Sequence, residues 1–141
     1  MQQILVAPDI DSAQILRDSK TIAVVGLSPK PERPSYQVAT YLLGAGYEII
    51  PVNPGHDQIL GLHCYPNLES IPGRVDIVDI FRNPQEVPAI VDSAIRIGAK
   101  VVWMQLGIVH EEAAAKAKAA GLIVIMDRCL KIDHQNFAPR R

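Results

Sequence analysis

Two stretches of the chain carry the side chains best suited to chemistry. The first is Gly26-Leu27-Ser28-Pro29-Lys30-Pro31-Glu32-Arg33-Pro34-Ser35. Gly26 lets backbone approach a ligand closely. Lys30 and Arg33 supply positive charge, and Ser28 and Ser35 supply hydroxyl donors. The prolines stiffen the segment, so less ordering entropy is lost when something binds. A helix start just beyond it favours negative charge, so the loop reads as a cradle for phosphate or pyrophosphate. An ordinary strand-to-helix loop with solvated charges is the plainer alternative. The second stretch is Met126-Asp127-Arg128-Cys129. Arg128 favours a thiolate at Cys129, Asp127 opposes it, and a small buried hydrophobe is the plainer role for that cysteine.

Other chemistries lack their residues. His56, His63, His110 and His134 form no H-E-x-x-H, and Cys64 and Cys129 make no C-x-x-C, so no metal site is expected. G-x-x-x-x-G-K-[ST] and G-x-S-x-G are absent, and Ser28 has no assigned base, so no catalytic residue is assigned. Asp76 and Asp79 sit in or beside a strand without identifying an acid–base pair. Trp103 reads as core rather than as a stacking platform. A nicotinamide dinucleotide site wants G-x-G-x-x-G and an acidic residue closing the second strand. Here Gly26 is followed by Ser28 and prolines, and the second strand ends Val52-Asn53-Pro54. Asn53 can reach a ribose or an adenine edge, and a protonated His56 favours a phosphate on the adenosine ribose. A phosphorylated nucleotide suits this pattern better than NAD.

The elements that must position these residues follow from hydrophobic patterning. Thr21–Val25, Glu48–Val52, Val75–Ile80, Val101–Met104 and Leu122–Met126 are short apolar runs, mostly without strict alternation, as in strands buried on both faces. Helices are expected between them. One starts with Ser35 as N-cap and ends at Gly46; another has a capping box at Asn83-Pro84-Gln85-Glu86 and ends at Gly98. A third covers His110–Ala120, and a short one opens the chain over Asp11–Ser19. Asn53–Gly73 is too rich in proline and glycine for a long helix, with one turn expected at Asn67–Ser70, and another turn is expected after Cys129. The spacing predicts an α/β fold, a Rossmann-like doubly wound, mostly parallel five-stranded sheet with helices on both faces. Right-handed crossovers then gather the strand C-termini at one edge, where such sheets bind ligands.

The 141 residues suit one domain spanning 1–141. With 48% AVILMFWYC and 21% charged residues the composition is globular. Fourteen basic against fifteen acidic residues give a net charge of −1. This excludes broad nucleic-acid backbone binding but permits one small anionic ligand. No signal peptide, membrane span or disulfide framework is legible, so a reduced cytoplasmic protein is expected.

Taken in order, Val24-Val25-Gly26-Leu27-Ser28, Arg33-Pro34-Ser35, Gly46-Tyr47, Pro51-Val52-Asn53-Pro54, Asp79-Ile80-Phe81-Arg82, Val102-Trp103-Met104-Gln105-Leu106-Gly107 and Met126-Asp127-Arg128-Cys129 carry a resemblance. The chain resembles a stand-alone coenzyme A-binding domain protein, related to the nucleotide-binding domain of the succinyl-CoA synthetase α subunit. The resemblance implies CoA or an acyl-CoA held along the strand C-termini. Gly26, Ser28, Arg33 and Ser35 would meet the pyrophosphate, with Lys30 beside them. Asn53 and His56 would lie near the 3′-phosphoadenosine, Phe81 and Arg82 beside the adenine, and Gln105 and Gly107 along the pantetheine arm. Cys129 would lie towards the thiol, within reach of a mixed disulfide with it. Relatives often carry a basic residue just after Asn-Pro, where this chain has Gly55-His56-Asp57. The rival readings are an NAD(P)-dependent oxidoreductase and an interaction module without a ligand. A chain of this size favours binding over a complete enzyme.

Overall fold

The computed structural model describes residues 12–137. Helix α1 (Ser12–Asp18) leads into β1 (Thr21–Val25), α2 (Pro34–Gly44) and β2 (Glu48–Val52). The expected start of α1 at Asp11 lies outside the described residues. A small antiparallel hairpin, β3 (Gln58–Ile59) and β4 (Leu62–His63), precedes a 3-10 turn at Leu68–Ser70. Then come β5 (Ile77–Ile80), α3 (Val87–Arg96), β6 (Val101–Met104), α4 (Glu111–Ala119), β7 (Ile123–Ile125) and α5 (Leu130–Phe137).

Five strands form one parallel sheet in the order β2-β1-β5-β6-β7. The chain leaves β1 towards β2 on one side and returns to β5 on the other, so the topological switch point lies between β1 and β5. Both faces are covered. Ile22, Val24 and Trp103 pack under α1, α2 and α5 through Leu16, Leu42 and Leu130. Ala23, Val25, Val78 and Met104 pack under α3 and α4 through Val91, Ala94 and Ala117. This double burial is why the strands read as nearly continuous Val/Ile runs. The doubly wound α/β fold expected from the spacing is the fold observed.

Four local expectations change. Arg33, not Ser35, occupies the N-cap of α2, because Pro34 takes the first helical position that its fixed φ suits. Pro84–Glu86 forms a 3-10 turn, and Asn83 makes no side-chain cap, so the capping box does not form. His110 itself caps α4, its Nδ1 accepting from the Ala113 N–H at 3.1 Å. The expected turn after Cys129 is an eight-residue helix, α5. Its sequence has little apolar periodicity, but Leu130 is buried in the sheet face, and Asp133 accepts from Arg128 at 2.8 Å and from the Ser12 hydroxyl at 3.4 Å.

Candidate functional site

The loops after β1 and β5 meet at the switch point, and Gly26 is what allows them to. Its N–H continues the parallel ladder by donating to the Val52 carbonyl at 2.8 Å. It then turns at φ +88°. A Cβ there would stand 2.4 Å from the Phe81 carbonyl oxygen and 2.6 Å from Cδ of Arg82. Glycine therefore does two jobs, supplying a left-handed turn and letting the β5 loop lie against it.

The β1 loop is braced from within. The Ser28 N–H donates to the Ser35 hydroxyl at 2.9 Å, and the Lys30 N–H donates to the Ser28 hydroxyl at 3.1 Å. Both hydroxyl oxygens act as acceptors, so neither O–H hydrogen is consumed by these bonds. The Asn53 side-chain amide donates to the Leu27 carbonyl at 2.8 Å and ties the β2 end to the same loop. Arg33 offers no side-chain cap to α2, which leaves first-turn N–H groups of that helix beside an exposed Lys30 and Arg33.

The β6 and β7 loops are tied to each other by three bonds. The Gly107 N–H donates to Oδ1 of Asp127 at 2.7 Å. The indole N–H of Trp103, otherwise fully buried, donates to the Arg128 carbonyl at 2.9 Å. The Leu130 N–H donates to Oε1 of Gln105, itself buried, at 2.9 Å. Asp127 holds φ +59°, a left-handed conformation that aspartate tolerates better than most residues. These bonds fix Cys129, half-buried, at the start of α5. The charges beside it are committed elsewhere, Arg128 to Asp133 and Asp127 to Gly107.

Two open clefts share this edge. One, of about 510 Å³, lies on the α2/α5 face and is lined by Phe81, Asn83, Gln105, Leu106, Gly107 and Cys129, among others. The second, of about 460 Å³, lies on the α3 face and is lined by Gly26, Pro54, Pro66, Leu68, Gln85 and Ile90, among others. Arg82 borders both. Its Nε and Nη2 sit 3.0 and 2.9 Å from Oε1 of Glu86, the carboxylate that the 3-10 turn releases from capping.

Of the residues expected at a site, the structure gathers Phe81, Arg82, Gln105, Gly107 and Cys129 in one cleft and Gly26 and Arg82 in the other. Ser28, Lys30, Arg33, Ser35, Asn53 and His56 line neither. His56 is exposed, and Asn53 is spent on the loop. The α3-side wall was not foreseen. Tyr65 pairs with Val52 beside β2 and brings Pro66–Leu68 over the sheet edge. The proline- and glycine-rich character of Asn53–Gly73 was the available signal. Among the described residues no group of three or more His, Cys, Asp or Glu is placed to hold a metal ion.

Beneath the α5-side cleft sits Asp79. Strand alternation puts it on the sheet face of Ile77, below Phe81, opposite Val24 and Trp103 in the register. It is 0% exposed, and neither carboxyl oxygen has a hydrogen-bond partner. Burial pushes its carboxyl well above the usual carboxylate range.

Fold and site together define a doubly wound α/β domain with two clefts at the switch-point edge of its sheet. The chain belongs to the CoA-binding domain family, whose model matches residues 20–135. It is 46% identical over 121 residues to the protein YneT of Bacillus subtilis strain 168, described as uncharacterized, covering 86% of this chain and 90% of that one. A solved structure of a hypothetical protein from Pyrococcus horikoshii OT3 superposes with a TM-score of 0.88 at 44% identity, covering 90% of this chain and 89% of that one. Acetate–CoA ligase (ADP-forming) II of Archaeoglobus fulgidus is 35% identical over 83 residues, 57% of this chain but only 12% of the ligase. The expected kinship therefore holds for the CoA-binding domain. The relationship shown is to acetate–CoA ligase modules, not specifically to the succinyl-CoA synthetase α subunit.

Proposed function

We propose that this protein binds coenzyme A, or a thioester of it, across the C-terminal edge of its sheet, and carries, senses or shields it without catalysing a reaction. One observation carries this most: two clefts meet at Arg82, which lies against Gly26, so one elongated ligand with a charged middle can occupy both. The family match and the acetate–CoA ligases among the relatives support the choice of CoA. The diphosphate lies over Gly26, Ser28 and Ser35, with Lys30, Arg33 and Arg82 as counter-charges. The phosphoadenosine enters the α3-side cleft, with Asn53 and His56 on the side of its 3′-phosphate. The pantetheine arm follows the α5-side cleft past Gln105 and Gly107 towards Cys129. Phe81 lines only the α5-side cleft, so in this arrangement it borders the arm. The two free thiols support a reducing, cytoplasmic setting; no described helix is long and apolar enough to cross a membrane.

Alkylation of the two cysteines tests ligand and direction together. Cys64 is 3% exposed; burial pushes its thiol up, the charge of Asp57 adds to that, and a backbone hydrogen bond at Asn53 only partly offsets the rise. It is expected to resist iodoacetamide. Cys129 lines the cleft and is expected to take the single label. CoA at ten times its Kd should slow labelling of Cys129 about tenfold by mass action. An unchanged rate under saturating CoA overturns the placement of the thiol end.

A further inference from the structure

We propose that the outer end of the α5-side cleft holds an aliphatic acyl chain, so that the protein selects acyl-CoA thioesters over free CoA. This rests on the CoA reading above and adds a substrate class to it. The cleft has a direction. Its charged end is at the switch point, with Arg82 and the start of α2, and its floor crosses from β5 to the loops after β6 and β7. Around Gln105 and Cys129, on the loops after β6 and β7 and the start of α5, the lining includes Leu106, Ile108 and Ile132.

Two of the polar groups along that stretch are already committed. The Gly107 N–H is bonded to Asp127, and Oε1 of Gln105 to the Leu130 N–H. What the outer cleft offers an occupant is therefore mainly apolar surface. Leu106 is 64% exposed and Ile132 47% exposed, both on the cleft wall. Neither exposure is needed to build the sheet or its helices. An alkyl chain continuing from the ligand's thiol would cover both side chains and needs no hydrogen bonds. A protein partner is the poorer occupant. Two exposed side chains in a concavity offer far less than the ~800 Å² per partner of an ordinary interface.

Titration of the whole protein with CoA and with acetyl-, butyryl- and hexanoyl-CoA tests this. A fully buried methylene is worth about fourfold in affinity, and an open groove is expected to realise about twofold. Hexanoyl-CoA should then bind about 16-fold tighter than acetyl-CoA. Ile132→Asn and Leu106→Ser, at exposed positions that leave the core intact, should flatten the dependence on chain length. If CoA binds but affinity is flat or falls with chain length, the acyl site is refuted and CoA binding stands. A slope unaltered in both variants also refutes it. If no CoA species binds, the CoA reading itself fails.

Discussion

Gly26→Ala is expected to destabilise the protein by about 2–5 kcal/mol and to abolish ligand binding. Two penalties add. The left-handed backbone at φ +88° costs an L-residue about 1–2 kcal/mol. The new methyl group would meet the Phe81 carbonyl at 2.4 Å, a backbone atom held in the ladder by its neighbours, and such overpacking costs about 1–3 kcal/mol. Relief requires the β1 and β5 loops to part, which moves Arg82 and opens the junction of the two clefts. Gly107→Ala is the internal control. Its φ of +87° is almost the same, but nothing lies within 4 Å of the added Cβ. It should cost only the backbone share. Urea unfolding with an unchanged m-value reads both. Equal losses in the two variants would show that close approach of the loops is not what Gly26 provides.

Asp79→Asn is expected to stabilise the protein at neutral pH and to leave it nearly unchanged near pH 4. The sign follows from the direction of the shift. The native carboxyl holds its proton above the ordinary range, whereas the unfolded one releases it near ~3.9. Native stability is therefore fullest below that value. It falls as pH rises towards the native pKa, at up to about 1.4 kcal/mol per pH unit. Asparagine has the same size and no proton to lose, so the advantage of the variant should widen with pH over that window. Asp76, just ahead of the same strand, behaves oppositely. Burial pushes its carboxyl up, but N–H groups of Lys20 and Thr21 and the charge of Lys100 outweigh this and hold it below the ordinary value. Its contribution is present above ~4 and lost as pH falls. Parallel stability profiles for the wild type and Asp79→Asn between pH 4 and 8 would refute the buried, unpaired state of Asp79.

The strands were legible because parallel strands buried on both faces carry a compositional signature, and Val24-Val25-Gly26 or Ile80-Phe81-Arg82 marks where each one ends. The site was legible to the extent that it hangs on those ends. Gln105, Gly107 and Cys129 fall in one cleft because β6 and β7 are neighbours in the sheet. What escaped depends on contacts far apart in sequence. Pro66–Leu68 reaches the α3-side cleft only because Tyr65 pairs beside β2. α5 is set by packing against the sheet and α1 rather than by its own periodicity. The pairing of Glu86 with Arg82 goes with a 3-10 turn at Pro84–Glu86 in which Asn83 makes no side-chain cap, and the capping-box spacing does not reveal that turn. Asn53, which the sequence offers as a ligand donor, is claimed by the Leu27 carbonyl.

Calorimetric titration of the intact chain with CoA and, separately, with NADP is the most direct measurement. Both ligands carry an adenosine, a diphosphate and a phosphate on the adenosine ribose, and they differ in the arm that must thread the α5-side cleft. CoA is expected to bind at one site per chain, dephospho-CoA more weakly, and NADP not at all. A chain that binds NADP and gives no heat with millimolar CoA would contradict a CoA-binding function.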